Sequence, residues 1–150
     1  MATDYFTKWI EVVPCRKATD SIIIKFLETN ILSRFGCPRK IIANNAVAFI
    51  SKRLIDFCNQ YHITLGHSMT YYPQGNGLAE SSNKSLVNII RKTLQENKKS
   101  WHNKLVFALW AERISTKILI GMSPYQLVYG TEAFFPLSLG VSFMKLLQET

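Results

Sequence analysis

Cysteine is scarce in this chain, and the three present, Cys15, Cys37 and Cys58, are odd in number and follow no metal-ligand spacing. They read as reduced thiols of a cytosolic or nuclear protein rather than as a disulfide framework. His62, His67 and His102 do not join them in a zinc-type pattern. Long apolar runs are missing too: none reaches the roughly 18–20 residues that span a bilayer. No basic segment followed by an apolar stretch opens the sequence, so no secretory signal is visible. No internal repeat, low-complexity tract or linker interrupts it. Acidic residues are few, 10 against 18 lysines and arginines, which leaves a net charge of +8. Such an excess favours a polyanionic partner such as nucleic acid. The basic residues fall in small groups (Arg16-Lys17, Arg39-Lys40, Lys52-Arg53, Arg91-Lys92, Lys98-Lys99) and form no tail. A merely soluble basic surface therefore stays open as the competing reading.

What the chain does hold is core material. Its 150 residues are 47% hydrophobic, enough for one domain and against disorder. Met1 to Tyr5 and Trp9 to Val13 read as a hairpin with its turn at Thr7-Lys8 and Pro14 as its end. Thr19 or Asp20 is placed to cap a helix whose apolar face is Ile23, Phe26, Leu27, Ile31 and Phe35. Gly36 ends that helix and Pro38 prevents its resumption. Lys40–Ala43 is a short strand and Asn44-Asn45-Ala46 a turn. Ser51 caps a helix through Gln60, with Leu54, Ile55, Phe57 and Cys58 facing inward. Ile63–His67 is another strand. Ser100 caps a helix on which Trp101, Leu105, Ala108, Leu109 and Glu112 recur at helical spacing; Trp101 and Trp110 read as core. Ser123-Pro124 opens a short helix that Gly130 closes. This order of elements is α/β.

Between the Ile63 strand and the Ser100 helix lies the most informative stretch, Tyr71 to Lys84. Pro73, Gly75 and Gly77 make its first half a loop. A helix follows from about Leu78 to Asn97. Glu80 falls in the first turn, where the helix dipole favours a carboxylate. Lys84, Asn88 and Arg91 continue the same face. A carboxylate above a basic, amide-bearing stripe suits a metal ligand beside a phosphate backbone. From spacing alone, an ordinary surface Glu–Lys pair on an amphipathic helix carries more weight.

Four runs together change that balance: Asp4-Tyr5-Phe6-Thr7-Lys8-Trp9-Ile10-Glu11, Arg34-Phe35-Gly36-Cys37-Pro38, Tyr72-Pro73-Gln74-Gly75-Asn76-Gly77-Leu78-Ala79-Glu80, and Ser123-Pro124-Tyr125-Gln126-Leu127-Val128-Tyr129-Gly130. They resemble the integrase catalytic core of gypsy-type LTR retrotransposons, in its plant form, across nearly the whole chain. The resemblance implies an RNase H-like fold over residues 1–130, with 131–150 as a C-terminal extension. It implies two aspartates and a glutamate holding two magnesium ions, which activate a water and then a DNA 3′-hydroxyl for attack on phosphodiesters. It implies DNA as partner (element ends and target DNA), a homodimer, the nucleus as location, and no membrane.

Carried over residue by residue, the match is uneven. Glu80 takes the position of the family's glutamate. The second aspartate opens an Asp-Asn-Gly motif after a strand; here that motif reads Asn44-Asn45-Ala46. The 35 residues between Asn44 and Glu80 keep the family's spacing, so the register holds and the substitution is real. Asp4 is not the first acid. By resemblance that aspartate belongs to the preceding strand, expected upstream of Met1. That strand is central in the family's sheet, so the fold is expected to lack it, and the two edges it leaves either close up, leave a gap or destabilise the monomer. Two divalent ions facing one carboxylate and one amide keep about +3 uncompensated charge, so two-metal binding is expected to fail. Ala46 stands where the family has a turn glycine, and at positive φ it would cost about 1 kcal/mol. Gln74, Asn76, Asn83 and Lys84 are implied to lie near DNA, and Arg91 follows from helical spacing alone. An inactive integrase-core fragment is the first reading. Its alternatives are a non-catalytic DNA-binding or dimerisation module, and a relic or mis-started product of a retrotransposon polyprotein gene.

Overall fold

The structure, a computed structural model, describes residues 1–67, 77–93, 101–118 and 120–134. The chain divides into two units: a central one, Val13–Glu80, and a split one made of Met1–Val12 and Ser81–Thr150.

In the central unit, Thr19 caps α1 (Asp20–Phe26) by accepting a hydrogen bond from the Ile22 amide. The helix then runs through a π-helical stretch, Leu27–Leu32, into α2 (Ser33–Phe35). The π stretch was not legible in the apolar spacing, and it corrects one expected core position. A π turn takes up about one residue more than an α turn, so the apolar stripe slips by about 100°. Ile23 and Leu27 stay buried and Leu32 packs against them, while Phe35 is turned out with 46% of its surface exposed. Gly36 ends the run at φ 82°, a left-handed value that disfavours any residue with a Cβ.

The strand β3 (Lys40–Ala43) pairs in parallel with β4 (Thr64–His67), in register from Lys40 opposite Thr64 to Ala43 opposite His67. Parallel neighbours need a crossover, and α3 (Lys52–Gln60) supplies it, capped by the Ser51 hydroxyl. Leu54, Phe57 and Cys58 of α3 close on Ile23, Leu27 and Ile63 to form an apolar core. Ile55, expected inward, lies on the exposed side of α3, because the stripe 54-57-58 already fills the buried face.

In the split unit, β1 (Ala2–Thr3) pairs antiparallel with β2 (Ile10–Glu11). Their connection is longer than a Thr7-Lys8 turn: the Asp4 amide donates to the Trp9 carbonyl and the Lys8 amide to the Asp4 carbonyl. Three helices complete the described part of this unit. The first, α4 (Gly77–Thr93), begins in the central unit and continues here. The others are α5 (Trp101–Ile114) and α6 (Pro124–Tyr129). Ile10, Leu86, Leu105, Ala108 and Leu109 form the core. Ser123 and Gln126 form a reciprocal capping box at the start of α6, and Gly130 closes it at φ 72°. Among the described residues the strands make two two-stranded sheets, β1–β2 in the split unit and β3–β4 in the central one. No described helix is long and apolar enough to cross a membrane.

Candidate nucleic-acid interface

The expected site residues fall on two elements. Glu80, Asn83, Lys84 and Arg91 lie on α4, and Asn44 follows the last residue of β3. Gln74 and Asn76 lie outside the described residues, as does the side chain of Glu80. Glu80 occupies the first turn of α4, as its sequence position required.

The roll of α4 is set by two contacts on its inner face. Leu86 is buried in the apolar core, and the Ser85 hydroxyl donates to Glu112 Oε2 on α5 at 3.0 Å. That orientation turns Ser81, Asn83, Lys84, Asn88 and Arg91 to the solvent. The 81-84-88-91 stripe is continuous because residues three and four apart share a helix face. Lys84 and Arg91 are seven residues apart, about 10 Å along the axis. About three nucleotide steps of one DNA strand cover the same length.

Asn44 is exposed, and its Oδ1 accepts a hydrogen bond from the Ala46 amide at 3.2 Å. The amide thus folds back on its own turn, a common use of Asn after a strand. Ala46 adopts φ −66° and ψ 143°, ordinary extended backbone. The expected strain of an alanine at positive φ is therefore absent here: the residue leads into the 3₁₀ turn Val47–Phe49 without needing glycine. Asp4 is exposed and its carboxylate is taken up by the hairpin loop, accepting from the Thr7 amide and the Thr7 hydroxyl at 2.7 Å each. Its role there is local structure.

One constellation was missed from sequence. The chain from Trp9 to Glu11 is buried, so the Glu11 carboxylate needs internal partners. Trp9 Nε1 donates to Glu11 Oε1 at 2.8 Å, and Arg113 Nη2 stands 3.0 Å from the same oxygen. Arg113 also donates through Nε and Nη2 to the Ile10 carbonyl, and its guanidinium lies over the Trp9 ring. Beside Arg113 on α5, buried Glu112 pairs with Lys117 as well as Ser85. The available signal was a carboxylate inside an otherwise apolar, β-branched run. A groove of about 550 Å³ runs along β4, bordered by Ile55, Cys58, Asn59 and His62; among the described residues, none of those expected at the site borders it.

The fold and the comparisons agree on a class. The chain is a mixed α/β protein with small sheets and the RNase H-like fold of retroviral integrase catalytic cores. It superposes on a chain of the simian T-cell lymphotropic virus intasome, solved in complex with PP2A regulatory subunit B56 gamma, with a TM-score of 0.74 at 22% identity. That match covers 89% of this chain and 48% of that one. The HTLV-2 integrase catalytic core domain, solved with magnesium in a dimeric form, gives a TM-score of 0.65 at 27% identity, covering 83% and 79%. In sequence, the chain is a homologue of retroviral and LTR-transposon polyproteins. It is 32% identical over 127 residues to the Gag-Pol polyprotein of avian reticuloendotheliosis virus. It is 26% identical over 141 residues to the transposon Tf2-3 polyprotein of Schizosaccharomyces pombe. These alignments take in 85% and 93% of this chain, which spans 11% of each relative's length. No protein-family model matches the sequence.

Magnesium in the HTLV-2 core raises the question of fit. Hard divalent ions take carboxylate and other charged oxygens in preference to a neutral amide. Position 44 offers an amide whose oxygen is already engaged by the Ala46 amide. Among the described residues, no group of three or more His, Cys, Asp or Glu is placed to hold a metal.

Proposed function

We propose that this chain is a DNA-binding, catalytically inactive integrase-core protein of gypsy-type LTR-retrotransposon origin. Residues 1–130 are its core-like domain and 131–150 an extension of it, and the protein acts in the nucleus. The observation that carries the binding reading is the solvent-facing stripe of α4, where Lys84 and Arg91 are exposed on a helix whose roll is fixed by Leu86 and Ser85. Lys84 and Arg91 contact phosphates of element-end or target DNA. Asn83 reaches a sugar or base edge, and Gln74 and Asn76 approach the same end. Inactivity is supported by Asn44. A neutral amide cannot balance divalent charge as a carboxylate does, so Glu80 alone gives at most weak residual metal binding.

The test is DNA binding by fluorescence anisotropy across a salt series. Lys84→Ala is expected to weaken binding of all sequences alike and to reduce the salt slope by about 1. An unchanged slope and affinity would remove α4 from the interface. In the same preparations, magnesium-dependent end processing or strand joining is expected to be undetectable, and its appearance would overturn the inactive reading.

A second reading has its own support. Val106 and Phe107 of α5 are exposed, 66% and 45%, on a helix whose other face is apolar core. An apolar outer face of that kind suits a homodimer contact, and the HTLV-2 core was solved in a dimeric form. Light scattering on the purified protein distinguishes a dimer from a monomer.

A further inference from the structure

The loop between β1 and β2 does not need aromatic residues to fold. Its closure comes from the Asp4 carboxylate, which accepts from the Thr7 amide and hydroxyl, and from the Asp4–Trp9 and Lys8–Asp4 backbone bonds. Yet Tyr5 and Phe6 stand at its tip with 70% and 81% of their surfaces in solvent. Their rings meet edge to face, with centroids 5.6 Å apart and planes at 89°. Lys8 holds a left-handed φ of 61°, a conformation costly for a residue with a Cβ. That backbone geometry accompanies an ammonium 4.6 Å from the centre of the Tyr5 ring, donating to the Tyr5 carbonyl. An ammonium has three N–H donors, so Lys8 keeps capacity for an anion.

We propose that this tip is a stacking platform for an unpaired nucleobase, with Phe6 as the principal stacking ring and Lys8 beside it for the adjoining phosphate. An aromatic plane next to a cation, on a chain of net charge +8, matches a nucleotide more closely than an apolar protein partner. The base must be unpaired, because a duplex hides base faces in its own stack. The proposal rests on the DNA-binding reading above and names the form of DNA selected: ends or gaps with a single-stranded segment.

Anisotropy with the full chain tests it, using one duplex that is blunt and the same duplex with a single-stranded overhang. The wild type is expected to prefer the overhang. Phe6→Ser should bind the overhang about 10-fold more weakly and the blunt duplex unchanged. Its salt slope should also be unchanged, since stacking releases no counterions. Phe6→Tyr should retain the preference, and thermal melting should be unaltered in both variants because the ring is exposed. Equal wild-type affinity for the two duplexes overturns the proposal, as does a silent Phe6→Ser. A Phe6→Ser that changes molecular mass in light scattering but not overhang affinity overturns it as well, by marking the tip as a protein contact. Lys84→Ala separates the two readings. If it is silent while Phe6→Ser removes the overhang preference, the α4 assignment fails and the tip stands. If no DNA is bound, both fail.

Discussion

The central and split units solve the problem of a small core differently. In the central unit, Ile23, Leu27, Leu54, Phe57, Cys58 and Ile63 meet with no buried charged residue among those described. In the split unit, the apolar cluster around Leu86, Leu105 and Leu109 is accompanied by buried Glu11, Glu112 and Ser123. Non-directional burial stabilises the central unit and leaves its side-chain arrangement adjustable. The split unit adds directional bonds that fix β2, α4 and α5 in one relation. That difference suits their contents. The split unit carries the stripe of α4 and the aromatic tip of the hairpin, where orientation decides whether a ligand is met. The difference also predicts how each unit breaks.

The largest effect is expected at Leu54, 1% exposed in the central core. Leu54→Ala removes buried methyl and methylene groups and leaves a cavity, at a cost of about 3–4 kcal/mol. Chemical unfolding monitored by circular dichroism measures it. A loss below about 1 kcal/mol would mean that the site collapses around the gap, and that the central core is looser than its burial implies.

Next in size is Arg113, which is itself partly exposed. Arg113→Ala leaves Glu11 with only the Trp9 indole among the partners described above, and frees the Ile10 carbonyl. Removing one partner of a fully buried pair costs about 3–5 kcal/mol. The 19% exposure of the Arg113 side chain moves the expectation to about 2–3 kcal/mol. Arg113→Lys should lose most of that, because an ammonium cannot reproduce the guanidinium fork. If instead the losses of Glu11→Ala and Arg113→Ala simply add in the double variant, the carboxylate is not held by this pair. The contrast between a polar latch and an apolar core would then weaken.

Residue chemistry explains which of these features could be read beforehand. The caps at Thr19, Ser51 and Ser123, the stops at Gly36 and Gly130, and the strands at Lys40 and Thr64 follow from local rules, so pattern and position sufficed. The π stretch in Leu27–Leu32 did not follow, because its extra residue per turn leaves the apolar composition unchanged and alters only the facing of Phe35. The Glu11–Arg113 latch joins residues 102 positions apart and depends on tertiary pairing that spacing cannot encode. At the candidate site, motif spacing gave the expected register of Asn44 and Glu80. The use of the Asn44 oxygen by its own turn, and the ordinary φ of Ala46, required backbone geometry.

The smallest effect concerns Cys58, which sharpens the comparison by reporting on the central core alone. Burial pushes its thiol above the ordinary value by penalising the thiolate. Because the folded pKa is the higher one, the associated stability is full below the ordinary thiol pKa. It is lost as pH rises from there through the folded value, since unfolding then releases a proton. Wild-type protein should therefore show a slightly steeper fall in unfolding midpoint above the ordinary thiol range than Cys58→Ala does. The same burial makes Cys58 a clock. Exposed Cys15 and Cys37 should react with a thiol reagent in the folded protein, while Cys58 reacts only through opening. Leu54→Ala should raise the Cys58 labelling rate by roughly 150- to 900-fold, in proportion to the stability lost. Prompt labelling of all three cysteines in the wild type would show that the apolar core opens readily, and that the directional bonds of the split unit are the stronger of the two solutions.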